Sequence, residues 1–103
     1  MIKCIFTKKN GVFENFLITG HAMYEEKGKD IICAAVSTVS QHTARFLEKQ
    51  GAKATIKDGY LMVEKIPNDE ISQIFVKELT ETLLDLSLQF SKFIKMEVTN
   101  DED

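Results

Sequence analysis

Ile2-Lys3-Cys4-Ile5-Phe6-Thr7, then Asn10-Gly11, then Val12-Phe13-Glu14-Asn15-Phe16-Leu17-Ile18-Thr19 is the stretch that decides the fold. Ile2, Cys4 and Phe6 alternate with Lys3, Ile5 and Thr7, the period-two pattern of a strand with one better-buried face. Asn10-Gly11 supplies two residues that tolerate positive φ, the chemistry of a tight hairpin turn, so Val12 to Thr19 reads as the returning strand. An antiparallel pair with one apolar face needs a layer to cover that face. The rest of the chain supplies that layer.

Beyond a polar connection, Asp30 reads as an N-cap. Ile32, Ala35, Val36, Val39, Phe46 and Leu47 follow helical spacing up to Gly51, a C′ candidate. The first two turns are apolar on nearly every side, which predicts a largely buried helix. Ala52, Ala54 and Ile56 then alternate with Lys53, Thr55 and Lys57, and Asp58-Gly59 turns the chain into a strand over Tyr60 to Ile66. Pro67-Asn68-Asp69 opens a second helix with Ile71, Ile74, Phe75, Leu79, Leu83 and Leu86 as its predicted buried stripe. Ile94, Met96 and Val98 alternate in a last strand, and Asn100 to Asp103 is an acidic tail. The order is ββαββαβ. It predicts one α+β domain over residues 1–103, two layers, with a mainly antiparallel sheet and both helices on one face.

Composition narrows the function. The 103 residues suffice for one core, and 44% hydrophobic with 28% charged residues describes a globular chain. The formal net charge of −3 argues against direct nucleic-acid binding, which needs Lys and Arg clusters. No apolar run approaches the roughly 20 residues that span a bilayer, so no membrane role is expected. Met1 to Phe6 is too short and too alternating for a signal peptide, and two cysteines without one point to reduced thiols and a cytoplasmic location.

Gly20-His21-Ala22-Met23-Tyr24-Glu25-Glu26-Lys27-Gly28-Lys29-Asp30-Ile31-Ile32-Cys33-Ala34-Ala35-Val36-Ser37 carries the chemistry. With Asp30 as N-cap, Cys33 falls at N3, where unpaired N–H groups and the macrodipole favour a thiolate. The same amides could form part of an oxyanion hole, and Ala34 leaves room for a peptide backbone. His21, at the end of a strand, can be folded back to Cys33 as its base. Met23, Tyr24, Glu25, Glu26, Lys27, Gly28 and Lys29 form a polar loop, read as a substrate-gating cover. Asp30 either caps the helix or orients His21. Ser37 is one turn beyond Cys33, either beside the thiol or back-bonded to the helix. For Cys33 the competing reading is inert core packing, which is also the reading for Cys4. His42 lies about 13 Å along the helix from Cys33 and on the opposite face, out of reach. With no CxxC or HxxxH spacing, neither a metal nor any other cofactor is expected.

Gly20-His21-Ala22, Gly28, Asp30-Ile31-Ile32-Cys33-Ala34 and Ser37 resemble the motif of the ribosomal-processing cysteine protease family, Prp. The resemblance extends over the whole ββαββαβ domain. It implies a cysteine endopeptidase with His21 and Cys33 as the catalytic pair, and Asp30 and Ser37 as supporting positions beside Gly20 and Ala34. It implies removal of an apolar, aromatic N-terminal extension from large-subunit ribosomal protein L-twenty-seven, with small residues after the cut. It also implies a homodimer and a flexible segment between histidine and cysteine. The readings that compete with it are a non-enzymatic ribosome-associated binding module and a thiol redox sensor. Only the peptidase needs His21 as a proton donor.

Overall fold

The computed structural model describes residues 1–20 and 27–100, with side chains for all of these except residues 27–30. Strand β1 (Ile2–Lys9) turns at Asn10 (φ 54°) and Gly11 (φ 80°) into β2 (Val12–Thr19), as the Asn-Gly pair predicts. The pairing runs from Lys3 opposite Thr19 to Thr7 opposite Asn15, then slips so that Lys8 faces Phe13. Glu14 is the extra residue of a bulge, and the slip changes which face each side chain takes. Strict alternation would put Phe13 and Phe16 on opposite faces. With the bulge both are buried, Phe16 stacking on Phe6 at 4.9 Å and Phe13 meeting it edge-on at 6.2 Å.

Helix α1 (Lys27–Lys49) leads to β3 (Lys53–Lys57) and β4 (Tyr60–Glu64); helix α2 (Glu70–Gln89) leads to β5 (Ile94–Asn100). The strands form one sheet in the order β3-β4-β2-β1-β5, antiparallel throughout except that β5 runs parallel to β1. This is the expected mixed α+β architecture. Its covered face carries Ile2, Cys4, Phe6, Phe16, Ile18, Leu61, Val63 and Ile94, all buried. Each large apolar side chain buried here contributes roughly 1.5–3 kcal/mol. The helices cover that face together and meet through Phe46 and Phe75, stacked at 4.1 Å.

Gly51 (φ +112°) closes α1 as read from the sequence. Ala52 N–H donates to the Leu47 carbonyl and Gly51 N–H to that of Glu48, both at 3.0 Å, the two bonds of a Schellman motif. Asp69 caps α2 by accepting from the Ser72 amide at 3.0 Å and the Ser72 hydroxyl at 2.8 Å. Those bonds hold its carboxyl below the usual range.

Three expectations need correction. Helix α1 begins by Lys27, so Lys27, Gly28 and Lys29 are helical rather than loop, and Asp30 is inside the helix rather than its N-cap. Lysine is a good helix former, and one glycine and one aspartate together cost only about 1–2 kcal/mol, less than docking Ile32 and Val36 returns. Nor is the start of α1 buried all round: Ile31 is 69% exposed, and Ala34 and Ala35 are exposed too. On α2 the buried stripe is Ser72, Val76, Leu79 and Leu83, leaving Ile71 and Ile74 outside. Gln73 sets that rotation. Its side chain accepts from Phe13 N–H at 2.9 Å and donates to the carbonyls of Phe13 and Pro67, both at 3.0 Å.

Candidate active site

The end of β2 is pinned where the motif begins. Thr19 pairs with Tyr60, and the next amide, Gly20 N–H, donates to the Gly59 carbonyl at 3.0 Å. Gly20 has φ +101°, a conformation side chains rarely adopt, and a Cβ there would fall on the Met1 carbonyl oxygen. Only glycine fits. The start of the chain, the end of β2 and the β3–β4 turn therefore meet at the residue that precedes His21. His21 itself, and Met23, Tyr24, Glu25 and Glu26 of the expected gating loop, lie outside the described residues.

Helix α1 forms the facing wall. Cys33, Ser37, Ser40 and Gln41 lie on one side of it, one turn after another, and line a cleft of about 240 Å³. Gly20 and the turn from Lys57 to Tyr60 close the other side, with Lys57 Nζ 5.6 Å from the Tyr60 ring centre. Cys33 is half-buried against the core and opens onto this space, while Ser37 and Ala34 are exposed. The sequence-predicted thiol and the glycine before its predicted histidine thus share one cleft. Cys33 occupies the second turn of α1, not N3 as expected. Because the dipole acts mainly within the first turn, it contributes less to activating this thiol than that placement implied. The first-turn amides are likewise displaced from Cys33, which weakens their reading as oxyanion donors.

The other candidates separate by location. Cys4 is fully buried in the sheet, and burial pushes its thiol up to about 12, so it stays protonated. Neither cysteine is in a disulfide. His42 is exposed and lines a different groove, between α1 and α2, beside Val39, Ile74 and Phe75. Ser40, Gln41 and the Lys57–Tyr60 turn were not singled out from sequence. Ser40 and Gln41 continue the helical spacing from Cys33 through Ser37, a signal that was available. The turn reaches the site only through β2–β4 pairing, which no local pattern encodes.

Known proteins resemble this chain in sequence and in fold. The sequence model of the family described as Cysteine protease Prp matches residues 1–95. The ribosomal processing cysteine protease Prp of Mycoplasma genitalium is 53% identical over 32 residues, 30% of this chain and 32% of that relative, so the match spans about a third of its length. The crystal structure of SMU.848 from Streptococcus mutans superposes with a TM-score of 0.81 at 29% identity, covering 98% of this chain and 96% of that one. The essential ribosomal processing protease Prp from S. aureus, in complex with a substrate peptide, gives a TM-score of 0.85 at 19% identity, covering 96% of this chain and all of that one. At that identity the S. aureus likeness speaks for the fold.

Proposed function

Because this chain belongs to the cysteine protease Prp family, we propose that it is a cysteine endopeptidase that removes the N-terminal extension of ribosomal protein L-twenty-seven. The observation that carries this reading is the placement of Cys33 on a cleft whose opposite wall includes Gly20, the residue before His21. In this reading His21 takes the Cys33 proton and the thiolate sulfur adds to the scissile carbonyl carbon. The C–N bond then breaks as His21 returns the proton to the leaving amine. Water, deprotonated by His21, hydrolyses the thioester and restores the thiol. No metal or cofactor enters these steps.

Ala34 and Ser37 are exposed next to Cys33, so small side chains border the thiol where a peptide backbone would lie. Asp30 and Ser37 support the pair by orienting the imidazole or the substrate. In this reading the protein acts in the cytoplasm as a homodimer, as the family resemblance and the reduced thiols suggest. Incubating extended L-twenty-seven with the protein tests the reading: the wild type releases the extension and Cys33→Ala does not. A redox sensor would keep a reactive Cys33 without cutting, and a binding module would be indifferent to Cys33→Ala.

A further inference from the structure

Strand β5 is an edge of the sheet, with β1 on one side of it only. It runs parallel to β1 with Ile94 opposite Ile2, and Ile2 N–H donates to the Phe93 carbonyl at 2.8 Å. Backbone groups alternate in direction along a strand, so Lys95 and Glu97 turn theirs to β1 while Ile94, Met96 and Val98 turn theirs to the edge. Ile94 N–H donates to the Phe90 carbonyl at 3.1 Å, so the groups offered at the edge begin with the Ile94 carbonyl. Such an edge is a template for a further strand. The opposite edge, β3, is guarded: full antiparallel overlap of two copies would set Lys53 against Lys57. On the helix side of β5, Val98 is 45% and Leu84 48% exposed. With Thr80, Glu81 and Met96 they line a groove of about 200 Å³ between α2 and β5.

Charge selects the occupant of this edge. Lys95 and Glu97 are exposed on the other face of β5, two positions apart. Within one copy Lys95 lies opposite Lys3, a like-charge neighbour, and Glu97 lies opposite Ile5. Laying a second β5 antiparallel with Met96 opposite the partner's Met96 sets Lys95 opposite the partner's Glu97, and Glu97 opposite the partner's Lys95. Centring the pair on Lys95 or on Glu97 instead sets like charges face to face. The favoured register also suits the backbone. The two Met96 residues exchange both of their bonds, and each Val98 N–H meets the partner's Ile94 carbonyl. Ile94, Met96 and Val98 of both copies then make one apolar row beneath the two α2 helices. The Cys33 cleft, beside the β3–β4 turn, lies toward the far edge and stays open.

We infer that two copies of this chain join through antiparallel pairing of their β5 strands, in the register that sets Lys95 against the partner's Glu97, forming one continuous sheet. The inference rests on the homodimer reading and gives it a surface. Sedimentation equilibrium of the full chain reads the dimer dissociation constant. Lys95→Glu or Glu97→Lys alone makes both charge pairs repulsive and should weaken the dimer at least about tenfold. The double variant restores opposite charges and should return to within about threefold of the wild type. Both positions are exposed, so circular dichroism should match the wild type in all three variants. Met96→Cys, in Cys33→Ala protein, should form a disulfide between copies on mild oxidation, because opposed Cα atoms there lie about 5.5 Å apart. If a charge variant misfolds, this crosslink decides. A wild-type dimer indifferent to the charge variants, a double variant as weak as the singles, or no crosslink overturns the interface and leaves the homodimer reading standing. A wild type that stays monomeric overturns both.

Discussion

Replacing Gly20 by alanine asks whether the anchor before His21 is as tight as its geometry says. Two costs apply. Holding a non-glycine residue at φ +101° costs of order 1–3 kcal/mol. The new Cβ would also fall on the Met1 carbonyl oxygen, so backbone must move, at about 1–3 kcal/mol for an overpacked site. Together they destabilise by about 2–6 kcal/mol. Gly51→Ala is the matched control, because φ there is +112° but nothing lies within 4 Å of the added carbon. It carries the backbone cost alone. The difference between the variants, about 1–3 kcal/mol, isolates the contact with Met1. At roughly 4–8 °C per kcal/mol for a domain of this size, Gly20→Ala should melt about 4–24 °C below Gly51→Ala. Calorimetry or thermal circular dichroism on both variants reads this directly. In addition, relief of the clash moves the point from which residue 21 departs, so cleavage by Gly20→Ala should fall at least about tenfold at temperatures where it is still folded. Equal midpoints for the two variants would refute the close approach to Met1.

In the native protein at pH 8, iodoacetamide should modify Cys33 to completion and reach Cys4 only after unfolding, since Cys4 is fully buried with its thiol pushed up to about 12; peptide mapping by mass spectrometry distinguishes the two sites, and native labelling of Cys4 would contradict the assignment. His21→Ala should abolish cleavage, whereas His42→Ala should leave it within about twofold because His42 is exposed on another groove; activity lost in His42→Ala with an unchanged circular dichroism spectrum would mean the base is misassigned. Asp69 is held below its ordinary value of 3.8 by the Ser72 bonds, so its capping stability is present above that value and is lost as pH falls through the lowered one. Urea midpoints measured from pH 5 down to pH 2 should fall more for the wild type than for Asp69→Asn, and parallel curves would show that the cap carries no pH dependence.

What could be read from sequence was local. Asn10-Gly11, Gly51 and Asp69 each sit where a neighbouring backbone group demands that residue type, so the turn, the helix end and the helix start were legible. The bulge at Glu14 was not, because it exists only relative to the partner strand. The same holds for α2, whose residues permit two apolar stripes; Gln73 bonding to Phe13, 60 positions away, chooses between them. At the site, spacing put Ser37 one turn beyond Cys33 on the same face, and both line the cleft; their roles came from the family resemblance and not from spacing. The start of α1 was misjudged because a good cap at Asp30 was weighed without the packing that extends the helix past it. Ser40 and Gln41 were not singled out, because their place on the cleft depends on how α1 docks against β2 and the β3–β4 turn.

The most direct test of the account is the intact mass of L-twenty-seven, carrying its N-terminal extension, after incubation with this protein in reducing buffer. The expected result is one cut, a mass loss equal to the extension, with the wild type and none with Cys33→Ala or His21→Ala. An uncut substrate with the wild type, or the same cut with Cys33→Ala, would contradict it.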